Sequence, residues 1–181
     1  MPTFRQRYSA ASIALHWVML VLIVAAYVCM DITDFFPRGS DIRNAIRSVH
    51  FSLGLTVFAL VWLRLLARLT GTTPAIQPAP PVWQARLAAL MHVLLYVFMI
   101  GMPLLGWATL SARGKPIAYF GLTTLPALLG ENKALARQLK DIHETGATIG
   151  YFLIGLHAAA ALFHHYIKRD NTLRRMLLLK N

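Results

Sequence analysis

The sequence predicts an all-α integral membrane protein, a bundle of four transmembrane helices with both termini in the cytoplasm. Three observations predict it. Of 181 residues 57% are hydrophobic and only 14% charged, against about 25% charged in a soluble domain, and the mean hydropathy is +0.54. Four apolar stretches near membrane-spanning length fall at residues 11–30, 49–66, 87–110 and 146–167. The basic residues also sort unevenly between the two sides that four crossings would create. The connections are short, so the chain reads as a single membrane domain, residues 1–181, with helices over 11–30, 42–69, 84–110 and 135–167.

The first helix follows Arg5 and Arg7. That lead resembles a signal peptide, but the apolar core is longer than a signal core and contains His16-Trp17, so an uncleaved span is expected. The Pro37-Arg38-Gly39 turn ends the first loop. Helix two is expected to start ahead of its apolar run, because residues 41–47 read as an amphipathic first turn or two. Pro74, Pro78, Pro80 and Pro81 make the second loop an extended, stiff linker. Helix three carries Pro103 and Gly106, a candidate kink. In the third loop, residues 117–129 are apolar but broken by Gly121 and Pro126, and are read as a re-entrant or interfacial segment. Residues 132–140 read as an amphipathic helix running into helix four.

One predicted side holds Arg5, Arg7, Arg64, Arg68, Arg86, Lys168, Arg169, Arg174, Arg175 and Lys180 against the single acid Asp170. The remaining eight of the 18 basic residues and six of the seven acids lie on the other side. The positive-inside rule makes the first side cytoplasmic, and its basic tail suits an anionic lipid surface. The net charge of +11 thus reads as topology, with membrane lipid as the partner and no nucleic-acid interface. Cys29, the single cysteine, excludes an internal disulfide and a thiolate metal cage. No phosphate-binding glycine loop and no serine or cysteine nucleophile arrangement is present.

The chemistry lies in the histidines. His143, Gly150, His157 and His164 follow one another at seven-residue intervals, so they share one stripe of the fourth helix. His143 and His157 stand about 21 Å apart along it. Ionisable groups inside a bilayer are costly and mark function. Sorted by depth, His50 and His143 share the periplasmic half, while His16 and His157 meet in the cytoplasmic half. Paired histidines within a helix bundle are a recurrent way to hold haem. His16, His157, His50 and His143 are therefore expected as axial ligands of haem iron, and Arg47 and Arg64 as partners for haem propionates. Gly54, Gly146, Ala147 and Gly150 either leave room for a macrocycle or allow close helix packing. His165 is expected at the membrane interface beside Tyr166 and Lys168. The tryptophans, tyrosines and methionines read as belts and packing.

These residues resemble the bacterial di-haem cytochrome b561 family, in particular its superoxide oxidase branch. The likeness runs through Ser12-Ile13-Ala14-Leu15-His16-Trp17, Phe35-Phe36-Pro37-Arg38, Leu63-Arg64-Leu65-Leu66-Ala67-Arg68 and Arg113-Gly114-Lys115-Pro116. It is strongest in His143-Glu144, the run from Gly150-Tyr151 to His157, His164-His165-Tyr166 and Asp170-Asn171-Thr172-Leu173. The resemblance implies two haem b groups with the same histidine pairing, a multi-pass protein of the bacterial inner membrane, and a ubiquinone site at the cytoplasmic end onto which His164 maps, with His92 beside it. If relatives use basic residues of the second loop for quinone, Arg86 is the one available here. The branch implies superoxide as periplasmic electron donor and ubiquinone as acceptor, with no residue assignable as catalytic. Arg38, Arg43, Arg47, Arg113 and Lys115 could draw the anion in.

Two other readings compete. One is a haem b membrane subunit relaying electrons between quinone and a periplasmic redox protein. The other is a histidine-lined metal transporter, disfavoured because every acid lies in a loop or at a helix end.

Overall fold

A computed structural model describes residues 7–177. Arg5 and Lys180, counted in the charge asymmetry above, lie outside them. Four helices are long and apolar enough to span a membrane. They are α1 (Ala10–Thr33), α2 (Asp41–Thr70), α3 (Val82–Ala112) and α4 (Lys133–Phe163). Four crossings put the start of α1 and the end of α4 on one face, the terminal face, and the loops after α1 and α3 on the opposite face.

Side chains set the helix starts. The Ser9, Ser40 and Asn132 side chains accept from the backbone N–H groups of Ser12, Arg43 and Leu135, satisfying N–H groups that the first turn leaves free. Asp41 in the first turn of α2 complements the helix dipole. Helix α2 thus begins ahead of its apolar run, and the amphipathic segment after Asn132 continues unbroken into α4. Helix α3 runs through Pro103. At its C-terminus α4 widens into a π-helical turn, His164–Lys168, closed by Arg169 in the left-handed region (φ 56°) and by Asp170 N–H donating to the His164 carbonyl (3.1 Å).

The expected re-entrant segment is instead a β-hairpin of β1 (Ile117–Tyr119) and β2 (Thr123–Leu125), in antiparallel register with Ile117 opposite Leu125. Its turn places Phe120 (φ 47°) and Gly121 (φ 71°) at positive φ, which Gly121 adopts at no steric cost. Helix α2 anchors the hairpin. Fully buried Ser52 accepts from Phe120 N–H at 2.8 Å, and the Thr56 and Tyr119 hydroxyls meet at 3.1 Å. The segment is thus folded rather than re-entrant, with Ile117 buried while Phe120, Leu122, Leu128 and Leu129 stay exposed, as the interfacial alternative allows.

Helix α1 packs along α2, α3 along α4, and α2 joins the two pairs. The core is Met19, Val57 and Val61, surrounded by Leu22, Ile23, Leu60, Tyr96, Met99 and Ile100. Helix α4 makes no comparable backbone approach to α1 or α2. The space between them is bridged by side chains, and the histidines lie there.

Candidate functional site

Two histidine pairs cross that space. His16 of α1 faces His157 of α4 with ring centroids 6.3 Å apart and planes at 78°. His50 of α2 faces His143 of α4 at 6.2 Å and 81°. These are the pairs that depth sorting brings together. The separation itself carries information. An imidazole nitrogen binds a first-row metal at about 2.0–2.1 Å and lies about 1.1 Å from its ring centroid, so two rings on opposite sides of one metal would stand about 6.2–6.4 Å apart. The spacing of both pairs would fit a metal ion between the rings. Each pair brings only two ligands, and among the described residues no cluster of three or more metal-ligating side chains occurs. A planar macrocycle supplying the other ligands completes such a site.

The ring orientations are held from behind. His50 Nδ1 lies 2.8 Å from the Ala26 carbonyl, which holds the ring and leaves Nε2 for the gap. His143 Nδ1 is buried and lies toward the Met102 carbonyl without a hydrogen bond of good geometry. Gly106 lies against this ring: a Cβ there would stand 3.4 Å from His143 Cε1. Gly54, one turn after His50, has open space where its side chain would be. Gly150 and Gly146 differ. A Cβ on Gly150 would strike the Tyr27 hydroxyl and the Phe98 ring, and one on Gly146 would strike Met102. Tyr27 also donates to the Ala147 carbonyl at 2.7 Å. Of the two uses open to these small residues, Gly54 leaves room while Gly146 and Gly150 allow close packing. The stripe between the two pairs is therefore filled by side chains at its midpoint.

Toward the terminal face the gap opens into a mainly apolar cavity of about 910 Å³, lined by His16, His157, His92, His164, Arg64 and Arg175 among others. His92 is edge-on to His157 at 5.6 Å and bonded to the Ala88 carbonyl at 2.6 Å. His164 Nδ1 lies 2.5 Å from Asp170 Oδ2. Arg64 and Arg175 line this cavity, while Arg64 Nη1 and Arg175 Nε are themselves buried without hydrogen-bond partners. Arg86 does not line this cavity, whereas Arg64, Arg68 and Arg175 do. His165 lies beside Tyr166 as expected, with ring centroids 4.7 Å apart, and its Nδ1 is buried without a hydrogen-bond partner. The Pro-rich loop and the tail close the cavity together. Asn171 and Gln77 exchange hydrogen bonds of 2.9 and 3.1 Å, Arg175 donates to the Pro74 carbonyl, and Trp17 donates to the Met176 carbonyl at 2.8 Å.

On the opposite face a cleft of about 500 Å³ is lined by Asp34, Arg38, Gly39, Arg43, Asn44, Arg47, Lys140 and Glu144. Arg47 and Lys140 each precede one histidine of the His50–His143 pair by three residues, so the cleft lies over that pair. Arg43 is not available to draw in an anion. It donates to the carbonyls of Thr33 (2.7 Å) and Phe36 (2.8 Å) and pairs with Asp34 at 2.8 Å, capping the end of α1. Lys140 pairs with Glu144 at 2.6 Å. Arg113 and Lys115 do not line the cleft; Arg38 and Arg47 do.

The fold is a bundle of four helices able to span a membrane, with two facing histidine pairs between them. A family profile for prokaryotic cytochrome b561 matches residues 7–178. The chain is 42% identical over 171 residues to cytochrome b561 homolog 1 of Escherichia coli K12, covering 94% of this chain and 97% of that one. It is 38% identical over 172 residues to the probable superoxide oxidase CybB of Yersinia pestis, covering 95% and 96%. It is 27% identical over 172 residues to cytochrome b561 homolog 2 of Escherichia coli K12, covering 95% and 92%. The chain belongs to the prokaryotic cytochrome b561 family, as a multi-pass membrane haem b protein of electron transfer.

Proposed function

We propose that this cytochrome holds two haem b groups, one between His16 and His157 and one between His50 and His143, and transfers electrons from superoxide to ubiquinone. The observation that carries the reading is the common ring spacing of 6.2–6.3 Å in both pairs. Haem b, when bound, supplies one-electron redox chemistry. The four histidines would hold and orient it, and Arg64, which lines the cavity with His16 and His157, would offer a cation to a propionate.

The relative named probable superoxide oxidase motivates the donor. The cleft over His50 and His143 supports it: Arg38 and Arg47 present positive charge to a small anion at a point one turn from a ligand pair. The acceptor is assigned to the opposite cavity, where apolar walls suit an isoprenoid quinone and His92 and His164 suit its polar ring. The basic bias of the terminal face supports a cytoplasmic side there, a bacterial inner-membrane location, and a periplasmic cleft.

The test is stopped-flow mixing of the oxidised, haem-loaded protein with superoxide. The reading expects haem reduction followed by re-oxidation on adding ubiquinone. A di-haem protein that superoxide leaves oxidised would instead support the relay between quinone and a periplasmic redox protein. The exposed Phe35 and Leu122 on that face, 84% and 83% accessible, offer apolar surface for such a partner.

A further inference from the structure

We propose that Asp170 is a positioning residue for His164, and that the His164–Asp170 pair supplies protons to the bound quinone. The inference rests on the quinone reading of the large cavity and adds a proton path to it. The two side chains meet at 2.5 Å, Nδ1 to Oδ2. Asp170 is 6% exposed, and its Oδ1 accepts from Thr172 N–H at 2.8 Å. The π-helical turn fixes the pair, because Asp170 N–H also closes on the His164 carbonyl. With Nδ1 committed to the carboxylate, Nε2 is the nitrogen left to the cavity that His164 lines. Burial alone would raise the Asp170 carboxyl, but the hydrogen bonds from His164 and Thr172 outweigh it and hold the group below its ordinary value. It therefore faces His164 as a carboxylate at neutral pH.

A buried acid bonded to a histidine orients the ring, so that a doubly protonated ring carries its Nε2 proton toward the cavity. Forming one quinol consumes two electrons and two protons, and oxidises two superoxide ions to two dioxygen molecules. His164 gives up the Nε2 proton as each electron arrives, keeps the Nδ1 proton on the carboxylate side, and takes up another from the terminal face. The charged and titratable groups around the cavity are Arg64, Arg68 and Arg175, with His16, His92 and His157.

The experiment compares wild type, Asp170→Asn and Asp170→Glu as full-length, haem-loaded proteins. Haems pre-reduced with dithionite are mixed with a short-chain ubiquinone and their re-oxidation is followed across pH 5.5–8.5. Asparagine keeps the oxygen that Thr172 uses but removes the carboxylate charge. The proposal expects unchanged haem content, re-oxidation slowed about tenfold or more in Asp170→Asn, an altered pH profile, an enlarged solvent deuterium effect, and substantial rescue by Asp170→Glu. Wild-type rate and pH profile in Asp170→Asn, with wild-type haems still re-oxidised, would overturn the pair's role alone. So would equal slowing in both variants, which marks a structural role. Failure of wild-type haems to pass electrons to the quinone would overturn the quinone reading along with it.

Discussion

Gly106 of α3 lies beside the His143 ring of α4, close enough that a Cβ built at residue 106 would stand 3.4 Å from His143 Cε1. The His143 ring thus has α3 behind it, while its other side turns to His50 at 6.2 Å. Helix α3 acts as a backing wall, and α4 is the shared wall of both histidine pairs.

The two classes of glycine predict opposite mutant behaviour. Gly54→Leu enters open space, so the bundle should assemble normally while the haem between His50 and His143 is excluded. Haem per chain should halve with little change in thermal stability. Gly150→Leu collides with Tyr27 and Phe98, and overpacking of this kind costs about 1–3 kcal/mol. That variant should melt lower and lose the Tyr27 bond to Ala147. Thermal melts and haem assays on the two variants separate these outcomes.

The spans were legible in the sequence because lipid demands long apolar helices, and the caps at Ser9, Ser40 and Asn132 refine their starts by only a residue or two. The histidine pairing was legible from depth alone, since helix direction fixes which residues share a level. The hairpin was not. Residues 117–129 have the apolarity of an interfacial segment, and what folds them is a long-range bond from Phe120 N–H to Ser52, which no local pattern encodes. Gly150 was ambiguous for a similar reason: only the positions of Tyr27 and Phe98 tell a packing glycine from one that leaves room. Asp170 read as a lone acid in a basic tail, because the π-helical turn that carries it back to His164 has no signature in the sequence.

Arg47 should govern anion approach. Arg47→Gln should reduce the rate of haem reduction by superoxide several-fold and flatten its dependence on ionic strength, since screening acts on the charge removed. Haem content should be unaffected. Stopped-flow rates between low and physiological salt check this, and an unchanged salt slope would place the attraction elsewhere.

Ser52→Ala removes the acceptor for Phe120 N–H. This hydrogen bond is only partly buried, and its loss costs about 0.5–1.5 kcal/mol, so the melting temperature should fall slightly and the 117–125 hairpin should become sensitive to limited proteolysis.

The tail clamp should resist mild acid. Because the Asp170 carboxyl sits below its ordinary value, its stabilising effect is present above the ordinary carboxylate pKa of about 3.9 and lost as pH falls through the depressed value. Amide exchange at residues 171–177 should stay slow from pH 7 to pH 5, after correction for intrinsic rates, and protection should fade only in stronger acid. Loss of protection near pH 5 would contradict the assignment.

The most direct test of the account is haem stoichiometry by pyridine haemochrome on purified protein. Wild type should carry two haem b per chain, His143→Ala and His157→Ala one each, and the double variant none. Two haems retained in His143→Ala, or a single haem in wild type, would contradict the two-pair assignment.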